Sequence, residues 1–186
     1  MKSIVIFASG SGTNAENIIQ YFNQSDSIGW VSRIFTNNAK AGVIKRAENH
    51  DVPVTIFERD TFKSERFLKQ IGNPDIIVLA GFLWLVPNYL VNAFPNKIVN
   101  IHPALLPKYG GKGMYGSKVH ESVIVNNEKQ SGISIHYVNE KYDEGEIVLQ
   151  ARCQVTPEDT PDSLAQKIHE LEYAYFPVTI KTLLTS

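Results

Sequence analysis

Cysteine is almost absent from this sequence of 186 residues, where Cys153 is the only one. A single cysteine cannot form an intrachain disulfide, so the chain has no need of an oxidising compartment and a cytoplasmic location is expected. The thiol lies in the strand-like run IVLQARCQV, where a buried and unreactive cysteine is the ordinary arrangement. No metal is expected either, because cysteines do not cluster and the 5 histidines are dispersed along the chain.

A strong charge of either sign is also missing. The formal net charge is -1 and 20% of the residues are charged, so nucleic acid is not an expected partner. No apolar run approaches the length of a membrane span, and no membrane partner is expected. The opening MKSIVIFAS leads directly into a glycine loop, which predicts a strand rather than a secretion signal. The length suits a single domain over residues 1–186.

Short β-branched runs alternate with helix-like segments along the chain. Strands are predicted at 3–9, 31–36, 54–58, 75–82, 98–102, 132–138 and 147–155. Helices are predicted at 13–23, 39–49, 61–71, 87–93 and in the closing segment after 155. This alternation predicts an α/β three-layer sandwich with a mainly parallel, seven-stranded sheet. The link NEKYDEGE is too short for a crossover helix, so an antiparallel strand is expected near the C-terminus.

The first predicted strand and helix are joined by the glycine-containing loop SGSGTNA. Glycine lets a backbone turn tightly and approach a ligand, and a helix N-terminus attracts anions. The spacing matches the dinucleotide fingerprint G-x-G-x-x-A, but the second strand ends in FTNNAK, without the acid that holds a ribose. The loop therefore predicts a site for a single phosphate group rather than a nicotinamide cofactor. A plain tight turn is the alternative.

Asn100 and His102 lie two residues apart at the end of the fifth predicted strand. Side chains at this spacing share one face of a strand, and ligands of open α/β sheets bind beyond the carboxyl ends of the strands. An amide can donate to a developing oxyanion, and an imidazole can carry a proton near neutral pH. Asp143, in the later loop EKYDEGEIV, is the candidate carboxylate that would raise the pKa of His102. A capped strand end and an ordinary turn aspartate are the alternatives.

These features together resemble a known family. Four segments carry the resemblance, namely FASGSGTN, VLAGFLWLV, NIHPALLPKYGG and SGISIHYVNEKYDEGEIVLQ. They occur in the order and spacing of the folate-dependent formyltransferases, and the resemblance covers nearly the whole chain. It implies a Rossmann-like fold and transfer of a formyl group to the amino group of glycinamide ribonucleotide in purine biosynthesis. The implied co-substrate is 10-formyltetrahydrofolate, and no metal is implied.

The resemblance also implies roles for individual residues. His102 resembles the catalytic acid/base, Asn100 the oxyanion-stabilising amide and Asp143 the acid that raises the histidine pKa. The residues that match contacts to the nucleotide are Gly12, Thr13, Asn14 and Glu172. The residues that match contacts to the folate are Arg66, Leu83, Trp84, Leu85, Val86 and Asn100. Small-molecule substrates are the expected partners, and the chain is expected to be a monomer or a homodimer.

Two segments depart from the family pattern. The stretch GGKGMYGSKVH is longer and richer in glycine than expected, so residues 110–116 form either a mobile lid over the nucleotide or a surface loop. His120 is the last residue of this stretch and lies at a predicted helix start, where a capping role is expected. Trp84 stands where relatives often carry a basic residue.

Three alternatives stay open beside the main interpretation. A formyltransferase acting on methionyl-tRNA would be expected to carry an additional C-terminal domain and a basic surface. A formyltetrahydrofolate hydrolase would be expected to carry an N-terminal regulatory domain. A non-catalytic nucleotide-binding module would not need the Asn100, His102 and Asp143 combination.

Overall fold

A seven-stranded sheet forms the centre of the protein, with the strand order β3-β2-β1-β4-β5-β6-β7. The computed structural model describes residues 1–185. The strands are β1 Lys2–Phe7, β2 Gly29–Thr36, β3 Val54–Ile56, β4 Ile76–Leu79, β5 Ile98–His102, β6 Gln130–Tyr137 and β7 Ile147–Gln154. The first five strands pair in parallel, and β6 is antiparallel to both of its neighbours. The predicted antiparallel strand near the C-terminus is therefore confirmed.

Helices cover both faces of this sheet. They are α1 Thr13–Phe22, α2 Val43–Glu48, α3 Arg59–Lys63, α4 Leu68–Ile71, α5 Asn88–Ala93, α6 Ser117–Val125 and α7 Pro161–Thr185. A short 3-10 turn, Glu65–Phe67, separates α3 from α4. Between residues 1 and 185, no helix combines the length and apolar character needed to cross a membrane.

The core is divided by the sheet into two clusters. Along β1, the alternate residues Ile4 and Ile6 belong to the first cluster, whereas Val5 and Phe7 belong to the second. This alternation follows from the two-residue period of a strand that is buried on both faces. The second cluster is rich in aromatic rings, with Phe7 stacked against Phe35 at a centroid distance of 5.0 Å. The sheet, with helices packed over a core cluster on each of its faces, forms the predicted three-layer sandwich.

The pairing of β5 with β6 decides which side chains meet at the site. Asn100 lies opposite His136, and His102 lies opposite Ser134. The Ser134 hydroxyl donates to the Ala104 carbonyl at 2.7 Å, which ties the chain leaving β5 to the neighbouring strand. The side chains that follow β5 are thereby held against β6.

Several predicted elements differ in their bounds from those observed, and two of the differences have a clear local cause. The helix predicted at 61–71 is interrupted at Ser64, whose backbone is extended and whose hydroxyl accepts from the Arg66 N–H. A serine that bonds its own neighbouring backbone competes with helical hydrogen bonding, which explains the break. The strand predicted at 75–82 ends at Leu79, because Gly81 adopts a positive φ of 72° and turns the chain out of the sheet.

Candidate active site

A cavity of about 660 Å³ opens beyond the carboxyl ends of β1, β4 and β5. Its walls come from residues 10–14, 80–84, 100–103 and 111–116, together with side chains from α7 and from the loop before β7. Ligand sites of open α/β sheets lie at this edge, because the loops after parallel strands converge there. The cavity brings together all the residues that were predicted to be catalytic.

Asn100 extends from β5 into this cavity and is held by two neighbours. Its Nδ2 lies 3.1 Å from Nε2 of His136 and donates to Oδ1 of Asp143 at 3.4 Å. Nδ1 of His136 lies 2.8 Å from the Tyr137 carbonyl. A carbonyl can only accept, so Nδ1 of His136 donates to it, and Nε2 is left facing the Asn100 amide and, at 3.6 Å, Oδ1 of Asp143. Of these two contacts of the Asn100 amide, the one to Asp143 is the longer.

His102 is buried at the end of β5, and each ring nitrogen faces a different partner. Nε2 lies 2.7 Å from the Tyr109 carbonyl, which requires a proton on that nitrogen. Nδ1 faces Oδ2 of Asp143 at 3.6 Å, within ion-pair range but longer than a good hydrogen bond. Burial lowers the pKa of His102, while the charge of Asp143 and the Tyr109 carbonyl act to raise it.

Two opposing effects set the pKa of His102. Asp143 does favour the protonated form of His102, as expected, but burial outweighs it and the pKa lies below the ordinary value of 6.5. Burial makes the charged imidazole unfavourable, and the attraction of a single carboxylate at 3.6 Å does not fully offset this cost. Neutral His102 is therefore the favoured resting form near neutral pH.

Asp143 is fixed by the loop that precedes β7. Its backbone has a positive φ of 56°, and its Oδ2 accepts from the Gly111 N–H at 2.9 Å. Burial would raise the pKa of Asp143, but the nearby His136 and His102 rings and the Gly111 N–H together lower it. Asp143 consequently stays ionised between the two histidines, and it ties the 111–116 segment to the cavity.

The predicted phosphate loop forms the opposite wall of the cavity. Gly12 has a φ of 77°, and a Cβ atom there would lie 2.5 Å from Cβ of Val43, so only glycine fits. Thr13 and Asn14 open α1. The Asn14 side-chain amide donates to Oε2 of Glu172 at 2.8 Å, while its own Oδ1 is buried and has no partner within residues 1–185. That orphaned oxygen can accept from a ligand.

Glu172 and two histidines complete this wall. Glu172 is 5% exposed on α7 and accepts from Nδ1 of His169 at 2.9 Å. This hydrogen bond raises the pKa of His169. His120 is buried in α6 and lines the cavity, with Nδ1 unpartnered in the described chain, and burial lowers its pKa. The predicted capping role of His120 is therefore wrong. The residue lies in the fourth position of the helix, and its ring is turned inward.

The predicted folate-binding residues are only partly gathered at the cavity. Leu83 and Trp84 line it, whereas Leu85 is exposed elsewhere and Val86 is buried in the aromatic core cluster. The Leu83 N–H donates to the Ser9 hydroxyl at 3.1 Å.

Arg66 does not line the cavity, and Arg59 lines it instead. The guanidinium of Arg59 lies 5.3 Å from the centre of the Trp84 ring, at a cation–π distance. Sequence reasoning missed Arg59, although it follows the third strand and so lies at the carboxyl edge of the sheet. Within residues 1–185, no group of three or more histidine, cysteine or acidic side chains could hold a metal.

Comparison with known proteins identifies the family of this chain. The sequence model of the formyl transferase family matches residues 2–180. The chain belongs to this family. A solved phosphoribosylglycinamide formyltransferase from Bacillus halodurans is 37% identical in sequence to this chain, with a TM-score of 0.88. The match covers 100% of this chain and 96% of the Bacillus halodurans chain. The Rossmann-like α/β fold implied by the resemblance is thereby confirmed.

Two sequence relatives of this formyl transferase differ in length. The chloroplastic phosphoribosylglycinamide formyltransferase of Arabidopsis thaliana is 38% identical over 95% of this chain, which spans 64% of that relative's length. The phosphoribosylglycinamide formyltransferase of Bacillus subtilis is 32% identical over 99% of this chain and 95% of its own. The chain therefore spans just under two thirds of the plant protein and nearly all of the bacterial one.

Proposed function

We propose that this protein transfers the formyl group of 10-formyltetrahydrofolate to the amino group of glycinamide ribonucleotide. The products are formylglycinamide ribonucleotide and tetrahydrofolate, in de novo purine biosynthesis. One observation carries the proposal: a single cavity joins a glycine-rich helix N-terminus to Asn100, His102 and Asp143. The names of the relatives support the same substrate.

The nucleotide lies along the wall formed by α1 and α7 in this proposal. Its phosphate binds at residues 10–14, where N–H groups at the start of α1 have no acceptor within the helix. Asn14 and Glu172, which are linked by a hydrogen bond, contact the sugar and the glycinamide group. The amino group then faces Asn100 and His102 at the far end of the cavity.

The folate occupies the other wall. Its ring system packs against Leu83 and Trp84, and its glutamate carboxylates extend toward the guanidinium of Arg59. Arg59 supplies positive charge beside Trp84, the position at which relatives often carry a basic residue. The formyl group on N10 is thereby brought to the same end of the cavity as the attacking amine.

The reaction forms one C–N bond and breaks another. The amine attacks the formyl carbon, which places negative charge on the formyl oxygen and positive charge on the amine. The hydrogen bond from the Asn100 amide to Asp143 is long, at 3.4 Å, and therefore weak. The N–H that makes it turns to the oxyanion as the negative charge develops. Removal of one such donor typically costs about 3 kcal/mol of barrier.

His102 moves the proton between the two nitrogens. Its unprotonated Nδ1 accepts a proton from the ammonium, and the imidazolium then donates it to N10 as the C–N10 bond breaks. Asp143 at 3.6 Å and the Tyr109 carbonyl stabilise the transient imidazolium. A lowered pKa suits this order of events, because the ring begins neutral and returns its proton readily.

Turnover of purified protein tests the proposal. Loss of the formyl group from 10-formyltetrahydrofolate should require glycinamide ribonucleotide and should be abolished in His102→Ala. Formyl loss without the nucleotide would point to a hydrolase. Binding of both ligands without turnover would leave a non-catalytic nucleotide-binding module. A cytoplasmic location and a monomeric or homodimeric state stay predictions from the sequence.

A further inference from the structure

Helix α2 lies behind the phosphate loop and holds two of its carbonyl groups. The Gly10 carbonyl accepts from the backbone N–H of Val43 at 3.2 Å. The Ser11 carbonyl accepts from Nε of Arg46 at 2.9 Å. Both carbonyls therefore point toward α2 and away from the cavity.

This arrangement orients the next two backbone N–H groups. The C=O and N–H of one planar trans peptide unit point in opposite directions. The N–H groups of Ser11 and Gly12 share their peptide units with the two carbonyls that face α2, so they point toward the cavity that the loop lines. Neither N–H has a backbone acceptor in the described part of the chain. Two converging N–H groups beside the open first turn of α1 form a concave anion site.

Arg46 has a second partner, Glu16, in the first turn of α1. Nη1 of Arg46 pairs with Oε2 of Glu16, and Nε2 of His50 lies 3.4 Å from the other carboxylate oxygen. A carboxylate this close to the helix N-terminus would repel a bound phosphate unless a cation offset it. Arg46 provides that cation, and the Arg46 and Glu16 side chains are only 37% and 20% exposed.

We propose that Arg46 is a positioning residue for the phosphate of the nucleotide. It turns the peptide between Ser11 and Gly12 so that the N–H faces the phosphate, and it offsets the negative charge of Glu16. It acts through the loop and not by contact with the substrate. This inference rests on the proposed function, since it takes residues 10–14 to hold that phosphate.

Arg46→Met tests the inference through a comparison of two acceptors. In the wild-type protein, glycinamide ribonucleotide should bind more tightly than the unphosphorylated glycinamide ribonucleoside. In Arg46→Met, the KM for the nucleotide should rise by about tenfold or more, as expected for loss of a charged hydrogen bond. The affinity for the nucleoside and the KM for the folate should change little, so the preference for the phosphorylated acceptor should shrink.

A second variant separates orientation from charge. Arg46→Lys keeps the positive charge, but one ammonium group cannot reproduce the two-sided contact to Ser11 and Glu16. Arg46→Lys should raise the nucleotide KM by an intermediate factor. If Arg46→Met does not fold, Arg46→Lys still tests whether Arg46 positions the loop for the phosphate. Adding Glu16→Gln to Arg46→Met should restore part of the nucleotide affinity, because it removes the uncompensated carboxylate. A merely structural defect would not be rescued in this way.

Lys45→Met is the matched control. Lys45 lies next to Arg46 on α2, but its ammonium pairs with Glu48 at 3.6 Å and its side chain is 78% exposed. Its removal should leave the nucleotide KM unchanged. A wild-type protein without preference for the phosphorylated acceptor would overturn the phosphate assignment and this inference together. A preserved preference in Arg46→Met and Arg46→Lys would overturn this inference alone.

Discussion

Nδ1 of His102 lies 3.6 Å from Oδ2 of Asp143, and the two side chains are only 5% and 11% exposed. Burial and the carboxylate act on the imidazole in opposite directions, and burial prevails. Removal of the Asp143 charge should therefore lower the pKa of His102 further below its ordinary value.

Asp143→Asn should lower the pKa of His102 below its wild-type value, because the largest influence that raises it is lost while burial stays. A ring that is harder to protonate is a poorer proton carrier, so kcat should fall by about a hundredfold or more. The pKa is measured by NMR titration of the His102 ring, and kcat by the turnover assay.

Asp159→Asn is the control for this change. Asp159 pairs with Lys167 at 2.6 Å, away from the cavity, so its loss should alter stability and leave the His102 titration in place. A His102 pKa that rises, or stays unchanged, in Asp143→Asn would contradict the electrostatic assignment.

Gly12→Ala should destabilise the protein and abolish nucleotide binding. The residue has a φ of 77°, and its new Cβ would lie 2.5 Å from Cβ of Val43. The unfavourable backbone conformation alone costs about 1–3 kcal/mol, and the clash adds to it. Thermal unfolding and nucleotide titration measure the two effects.

Gly10→Ala should behave differently, although it changes the same loop. A Cβ at Gly10 meets nothing within 4 Å in the described structure, and its φ is not in the left-handed range. Its unfolding free energy should stay within about 0.5 kcal/mol of the wild type. Equal destabilisation by both alanines would mean that the contact of Gly12 with Val43 does not set the loop conformation.

Arg59→Met should raise the KM for 10-formyltetrahydrofolate by about fivefold, the equivalent of about 1 kcal/mol for a solvent-exposed charge. The guanidinium over Trp84 supplies positive charge at this wall of the cavity. The KM for the nucleotide should not change.

Arg66→Met provides the contrast, because sequence resemblance pointed to Arg66 while the cavity is lined by Arg59. Steady-state kinetics at saturating nucleotide compare the two variants. A larger effect from Arg66→Met than from Arg59→Met would restore the sequence-based prediction and remove Arg59 from the folate site.

Stability should fall as the pH drops below about 6.5, because the pKa values of His102 and His120 are lowered on folding. A group with a depressed folded-state pKa contributes stability above its unfolded pKa, and that stability is lost as the pH falls through the folded value. His120→Asn should therefore reduce the loss of unfolding free energy between pH 7 and pH 5 measured by urea denaturation.

His169→Asn should have the opposite effect on this pH dependence. Its pKa is raised, so His169 contributes stability below its unfolded pKa that is lost as the pH rises through the folded one. In His169→Asn, the unfolding free energy should therefore fall more steeply between pH 7 and pH 5 than in the wild type. A parallel response of the two variants would contradict the opposite directions assigned to these pKa values.

The sheet and its site-bearing edge could be predicted from sequence because they follow from periodicity. Asn100 and His102 are two residues apart at a strand end, and strand geometry alone places them on one face. The cavity indeed contains both, together with Asp143. Parallel strand order then puts the glycine loop at the same edge.

Features set by burial and by competing local bonds could not be predicted in this way. The pKa of His102 depends on how completely the ring is enclosed, which no motif encodes. The break at Ser64 depends on one hydroxyl bonding to the Arg66 N–H. His120 and His169 line the cavity through the packing of α6 and α7, where sequence shows only two dispersed histidines.

The pairing of β5 with β6 links folding to function. Asn100 lies opposite His136 in this antiparallel pair, and a slip of one residue would turn every β6 side chain to the other face of the sheet. A molecule that refolded with that slip would keep its helices and much of its compactness, yet it would lack the contact between Asn100 and His136. Recovered enzyme activity after refolding therefore counts correctly paired molecules, whereas recovered helical circular dichroism counts the mispaired ones as well.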